Sequence, residues 1–275
     1  MSRSLGLHQL SAMELAPFDF VEIASTAGYD RVSLFTHNPV VPLGEHGSKF
    51  VFPVVSPANI GAVRASLERS GITVSGAEFF LVRPDMDLLA YRAGLALGRE
   101  LGAAHAVVHI FDTDRNRAVD LLGCFCDLAA SEDLAVGIEF CAMTPGCRSI
   151  EEAGWYVDQV GRTNVGFGLC PLHLIRSGGT AADVAAFDAR YFRFGQINDG
   201  HGNHRAAEYY DEVHDRELPG DGDFPLRDIL GALPEAVPIE VKIPRGRGRG
   251  GTALDHVREA GERSRRLLAS LVPER

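Results

Sequence analysis

No run of about 18 consecutive uncharged apolar residues occurs in this 275-residue chain, so its length pattern excludes a membrane-spanning helix. The opening stretch MSRSLGLHQLSAMELAPFDF has no continuous apolar segment and no cleavage site, and the expected compartment is the cytoplasm. Positive charge is in deficit: 27 Lys+Arg stand against 37 Asp+Glu, a formal net charge of −10. That balance disfavours a nucleic-acid backbone as partner, and neither nucleic acid nor membrane is expected to bind. Cysteine is sparse. The five thiols (Cys124, Cys126, Cys141, Cys147, Cys170) are odd in number and scattered, which fits reduced side chains, and no paired CxxC zinc motif is present. Glycine-rich phosphate loops are also missing: the first apolar run leads into Leu10-Ser11-Ala12-Met13, which is neither a dinucleotide fingerprint nor a Walker A loop. No repeat, low-complexity tract or linker divides the chain, and only Arg245-Gly246-Arg247-Gly248-Arg249-Gly250-Gly251 is compositionally biased.

What is present is enough apolar sequence, 45%, for one large core, so residues 1–275 are expected to form a single domain. Eight short β-branched or apolar runs recur, at residues 4–10, 31–35, 73–79, 106–111, 135–141, 164–169, 191–197 and 237–243, with helical periodicity between them. Residues 56–70 form one helix candidate, in which Ser56-Pro57 supplies a cap and a first-turn proline and Gly71 a stop. Residues 85–101, 114–131 and 255–271 are others. A doubly wound open sheet would show the same local alternation, but eight strand–helix units without a dinucleotide loop favour an α/β fold of the (β/α)8 TIM-barrel kind. Two long connections, 36–55 and 199–223, follow strand C-termini, the face on which barrel enzymes build their sites.

Polar residues at strand ends are therefore the site candidates. Strands five and eight each place a carboxylate inside an apolar run, Glu139 and Glu240. Such a group, once buried, needs a cation, a hydrogen-bonding partner or a proton. Strand six ends at Cys170-Pro171-Leu172-His173, and strand seven reads Gln196-Ile197-Asn198-Asp199. Convergence of these donors on one point would satisfy a divalent metal, whereas each taken alone is equally an internal salt bridge or a packed thiol.

In this order the residues resemble the xylose isomerase-like TIM barrels, which include sugar-phosphate isomerases and epimerases, hydroxypyruvate isomerase, inosose dehydratase and 3-dehydroshikimate dehydratases. The matching features are Glu139, Cys170-Pro171-Leu172-His173, Gln196-Ile197-Asn198-Asp199, the Pro219-Gly220-Asp221-Gly222 stretch and Glu240. The resemblance implies a divalent cation (Mn, Mg, Co or Zn) held by Glu139, Cys170, Gln196 and Glu240. Cys170 stands where the family has an aspartate. A thiolate there favours zinc or another soft ion, and a neutral thiol weakens Mg²⁺ or Mn²⁺.

The implied activity is metal-dependent isomerisation or epimerisation of a small hydroxy-ketone or sugar-like substrate through an enediolate, with Glu139, Glu240 and His173 catalytic. A dehydratase on the same scaffold, and a metal-free barrel that binds ligand or uses His173 and the glutamates in acid–base catalysis, are the alternatives. An endonuclease is disfavoured by the acidic charge and the incomplete histidine set. Arg216, His109 and His201 are candidate contacts to an acidic substrate, with His204, Glu78 and the 245–251 run as further candidates. Cys124 and Cys126 read as helix packing. Homo-oligomerisation is compatible with the apolar outer helices.

Overall fold

A computed structural model of the protein describes residues 4–38, 53–202, 209–246 and 250–271. Eight parallel strands close into a barrel in sequence order: β1 Leu5–His8, β2 Arg31–Phe35, β3 Thr73–Val82, β4 His105–Ile110, β5 Ala135–Glu139, β6 Val165–Leu169, β7 Phe192–Ile197 and β8 Ile239–Val241. β1 pairs with both β2 and β8, which completes the cylinder. The strands are almost wholly buried because the barrel interior covers one face and the helices cover the other, which explains their continuous rather than alternating apolar character.

The outer layer contains α1 Pro17–Thr26, α2 Ile60–Ser70, α3 Leu88–Glu100, α4 Arg115–Ala130, α5 Ile150–Val160, α6 Pro171–Arg176, α7 Ala181–Ala185, α8 Tyr209–His214, α9 Leu226–Ala232 and α10 Ala253–Ala269. Local chemistry fixes their ends. Asp114 caps α4 by accepting from the Arg117 N–H, and Thr252 with Asp255 forms a capping box on α10. Gly71 ends α2 at φ +70°, as the sequence predicts. The start of α2 differs from the expected Ser56-Pro57 cap. Asn59 Oδ1 accepts from the Ser56 N–H at 2.8 Å and its Nδ2 donates to Val54 O at 2.9 Å, so a side-chain-closed turn precedes the helix and delays its first residue to Ile60. No helix among the described residues is long and apolar enough to cross a membrane.

Two features of the frame position the mouth. Deep in the barrel the Phe194 ring from β7 lies against glycines of β5 and β6. A Cβ on Gly137 would stand 2.7 Å from Phe194 Cε1, and one on Gly168 would overlap the ring. His105 stacks on this ring, with centroids 4.9 Å apart. Near the mouth, β3 carries an extra residue relative to β4: Ala77 pairs with Ala106 but Phe80 with Val108. This bulge lets the consecutive residues Glu78 and Phe79 both face the same cavity, which a regular pleat forbids.

Of the long connections, 39–52 and 203–208 lie outside the described residues. Asp199 organises the rest of the second. Its carboxylate accepts from the N–H groups of Gly200 (2.8 Å), Gly220 (2.8 Å) and Phe224 (3.1 Å), and its backbone bridges to Glu217.

The Phe194 floor gives a stability prediction. Gly137→Ala is expected to lower the unfolding free energy by about 1–3 kcal/mol through overpacking. Phe194→Leu in the same chain should recover part of that loss in denaturant titration. Equal losses in the single and double variants would contradict the packing argument.

Candidate active site

A cavity with about 700 Å³ of empty space, part of it open to solvent, opens at the C-terminal ends of the strands. Its polar wall includes His8, Glu78, His109, Glu139, His173, Arg216 and Lys242, and its apolar wall includes Phe35, Phe79, Phe111 and Met143. The central contact is an ion pair that the strand-end survey did not assign. Lys242, just beyond β8, places Nζ 2.6 and 2.8 Å from the two oxygens of Glu139. Glu240 and Lys242 are two residues apart, so strand alternation sends both inward and sets the lysine one step nearer the mouth. That spacing was the available signal for Lys242.

Around Glu139 lies a second ring of partners. His173 Nε2 is 3.2 Å from Glu139 Oε1, and its Nδ1 is 2.7 Å from the Tyr209 hydroxyl. Tyr209 in turn stands 3.3 Å from Cys141 Sγ, and neither residue was singled out as a site residue from sequence. His109 Nε2 is 3.9 Å from Glu139 Oε2. Burial would raise the Glu139 pKa, but Lys242 and then His173 outweigh it and hold the carboxylate well below its ordinary range. Lys242 loses stabilisation by burial yet is raised by Glu139 and Glu78, so it remains an ammonium. His173 is likewise held protonated against burial, by Cys141 and Cys170. Burial pushes His109 down to about 4, which makes it neutral.

The remaining predicted residues separate. Cys170 and Gln196 are buried behind the cavity wall, as is Glu240. Cys170 Sγ is 3.4 Å from both Asn198 Nδ2 and Arg216 Nη1; burial raises its pKa, but the His173 and Arg216 charges bring it down to about 6. Gln196 Nε2 donates to Glu240 Oε1 at 2.9 Å, and Ser33 Oγ to Glu240 Oε2 at 2.5 Å. Burial and Glu78 raise the Glu240 pKa. Arg216 is 1% exposed and directs an Nη2 with no hydrogen-bond partner among the described residues. His201 is exposed outside the cavity wall, where its carbonyl accepts from Arg176. His204 lies outside the described residues, as do 247–249 of the basic run.

Glu139 and Glu240 thus belong to different groups of closely spaced donors: Glu139 with Cys170 and His173, and Glu240 with His8 and Glu78. Within each group the donor atoms approach within 4.8 Å, a spacing compatible with a metal. The donors as they stand do not fit one. In the first group an ammonium occupies both oxygens of Glu139, and both nitrogens of His173 are engaged, Nε2 with Glu139 and Nδ1 with the Tyr209 hydroxyl. In the second, His8 Nδ1 accepts from the Leu10 N–H at 3.0 Å, so the proton of its neutral ring sits on Nε2.

A family model described as the xylose isomerase-like TIM barrel matches residues 21–260. None of the curated proteins matches the sequence. Solved structures do match in fold. The IOLI protein with a bound zinc atom has a TM-score of 0.78 at 17% identity, covering 100% of each chain. A D-psicose 3-epimerase from Clostridium cellulolyticum, solved with D-tagatose, has a TM-score of 0.69 at 16% identity over 98% of each chain. The probable 3-DHS dehydratase AsbF from Bacillus anthracis has a TM-score of 0.72 at 13% identity, over 94% of this chain and 97% of that one.

Removal of the ammonium gives two expected outcomes. Lys242→Met should cost about 3–5 kcal/mol in chemical unfolding, because it strands a buried carboxylate. Lys242→Glu should create affinity for Mn²⁺ or Zn²⁺ in isothermal titration that exceeds the wild type's by at least about tenfold, since it adds an anionic oxygen donor where a cation stood. A wild type that already binds as tightly would show that the ammonium does not block the site.

Proposed function

The chain belongs to the xylose isomerase-like TIM barrel family, and from that premise we propose that it is an isomerase or epimerase that moves a proton beside the carbonyl of a small, acidic hydroxy-ketone without a metal ion. The observation that carries this reading is the Lys242 ammonium on both oxygens of Glu139. It supplies a fixed positive charge inside the mouth, in contact with the carboxylate best placed to accept a proton. The epimerase and probable dehydratase among the fold neighbours support carbonyl-directed proton chemistry as the class.

The unpartnered Arg216 Nη2 receives the acidic end of the substrate and orients the carbonyl-bearing carbons toward Glu139. Glu139 takes the proton from the carbon next to the carbonyl, and the C–H electron pair moves into a carbon–carbon double bond while the carbonyl oxygen becomes anionic. When the hydroxyl proton on the carbon that lost its hydrogen passes to the former carbonyl oxygen, return of the proton from Glu139 to the former carbonyl carbon gives the isomer. The epimer forms when a different acid, on the opposite face of the enediolate, delivers a proton to the original carbon while Glu139 keeps the one it took. A carboxylate with a strongly lowered pKa is a weak base. An anionic substrate that draws part of the Lys242 charge to itself weakens that clamp and raises the basicity of Glu139 at the moment it is needed. His173, with Tyr209 on its far nitrogen, keeps the second oxygen of Glu139 oriented. Preorganised donors of this kind contribute about 3–4 kcal/mol each to lowering a barrier when aimed at developing charge.

The test is proton exchange in D₂O with a chelator present, followed by NMR with hydroxypyruvate and 3-dehydroshikimate as probes. Deuterium should enter next to the carbonyl at a rate the chelator does not change, and Glu139→Gln should slow it by at least about 100-fold. Loss of water from the probe would assign the dehydratase alternative. Activity abolished by the chelator and restored by Mn²⁺ or Zn²⁺ would overturn the metal-free reading.

A further inference from the structure

The β3 bulge builds an aromatic wall on one side of the cavity. Ala77 pairs with Ala106 but Phe80 with Val108, and the extra residue brings Phe79 into the cavity beside Glu78. In a regular pleat that ring would point to the opposite face. Edge-on neighbours fix its orientation: Phe35 from β2 at 5.9 Å and 69°, and His109 from β4 at 5.1 Å and 74°. Phe111, just beyond β4, packs in the same cluster. Phe35 is fully buried whereas Phe79 keeps accessible surface, so of the two it is Phe79 that a ligand meets.

Surface and charge are separated in this cavity. Among the described residues, the lining side chains that keep accessible surface are Leu10, Phe79, His109, Met143, Val213 and His214. Four of the six are hydrocarbon or thioether, and none carries a fixed charge. The charged residues are withdrawn: Glu78, Glu139 and Arg216 are each 1% exposed, and Lys242 is 4% exposed. A polyhydroxylated chain laid along this wall would exchange water for side chains that mostly offer no hydrogen bond, which is a desolvation cost without compensation. A hydrocarbon ring in the same place is favoured by the same burial, with the Phe79 ring and the Met143 sulfur as contacts.

We propose that the substrate is an acid that carries an aromatic ring where a sugar-like compound carries a polyhydroxylated tail. The ring lies against Phe79 and Met143 at the mouth, and the acidic, carbonyl-bearing end reaches Arg216 and the Glu139–Lys242 pair. This substrate class deepens the isomerase reading and rests on it for the placement of the acidic end. The preference for a ring over a hydroxylated tail is a property of binding and is measurable without turnover.

The probes are 3-phenyllactate and glycerate, 2-hydroxy acids that differ only in a phenyl group replacing the hydroxyl on the third carbon, each titrated calorimetrically into the full chain. Wild type should bind 3-phenyllactate at least about tenfold more tightly than glycerate, because the phenyl group leaves water for the apolar wall. Phe79→Ala, at a ring that is only partly buried, should reduce that preference by at least about threefold. A merely structural loss would weaken both acids alike and leave their ratio unchanged. If Phe79→Ala fails to fold, the wild-type comparison decides alone. Binding of neither acid, a wild-type preference below about tenfold, or a preference that Phe79→Ala reduces by less than about threefold would each overturn the aryl assignment. A preference for 3-phenyllactate without deuterium exchange into any probe would end the isomerase reading and leave the aryl site standing. Exchange into hydroxypyruvate by a protein without that preference would do the reverse.

Discussion

One ammonium among three buried carboxylates sets the electrostatics of this barrel mouth. Glu78, Glu139 and Glu240 are each at most 4% exposed, and all three feel the charge of Lys242. Two like charges a few ångströms apart in a medium of effective dielectric near 20 repel by about 4 kcal/mol, so three bare anions do not share this volume. The lysine bonds to one of them and fixes it as the anion. The other two are raised by burial, Glu78 with an unpartnered oxygen and Glu240 beneath hydrogen bonds from Ser33 and Gln196. A cavity whose acidic groups are pushed in opposite directions can hold a base and an acid at one pH.

The frame makes this arrangement possible at modest cost in packing. Glycines at 137 and 168 leave room for Phe194 to fill the barrel beneath the site. The extra residue in β3 turns Glu78 and Phe79 into the cavity together. Asp199 ties the connection after β7 to the Pro219-Gly220 turn and is fully engaged in doing so, which gives it a structural part rather than a place in the cavity wall.

The barrel was legible in the sequence because its signal is repeated eight times, and errors at single boundaries, such as Ser56 standing in for Asn59, do not alter the count. The site was legible only in part. Strand-end position brought out Glu139, His173 and His109, and the loop before Pro219-Gly220 brought out Arg216; the fold does gather these around one cavity. It also brought out Glu240, Gln196 and Cys170, which share strand ends with them but lie behind the wall, because end position does not reveal depth along the barrel axis. Lys242 lies within the last apolar run, 237–243, yet only the carboxylate of that run was singled out; the two-residue alternation from Glu240 points the lysine inward as well. Glu78 was visible as an acidic residue within an apolar run, whereas its partnership with His8 joins β3 to β1 and depends on a bulge that single-sequence periodicity does not encode.

On the metal-free reading proposed above, a lysine in place of a divalent ion changes more than the charge. A metal offers open coordination positions, so one centre binds substrate oxygens and stabilises the enediolate at once. An ammonium offers three donors and a single charge, and here both Glu139 oxygens already engage it. On that reading, the charge that develops on the substrate oxygen is met by other groups of the cavity wall. His8 Nε2 and Glu78 Oε1, buried and 3.3 Å apart, are among the side-chain atoms without a hydrogen-bond partner among the described residues. On the metal-free reading the positive charge therefore stays with Glu139, and the approach of an anionic substrate, rather than a coordinated ion, sets when that clamp loosens.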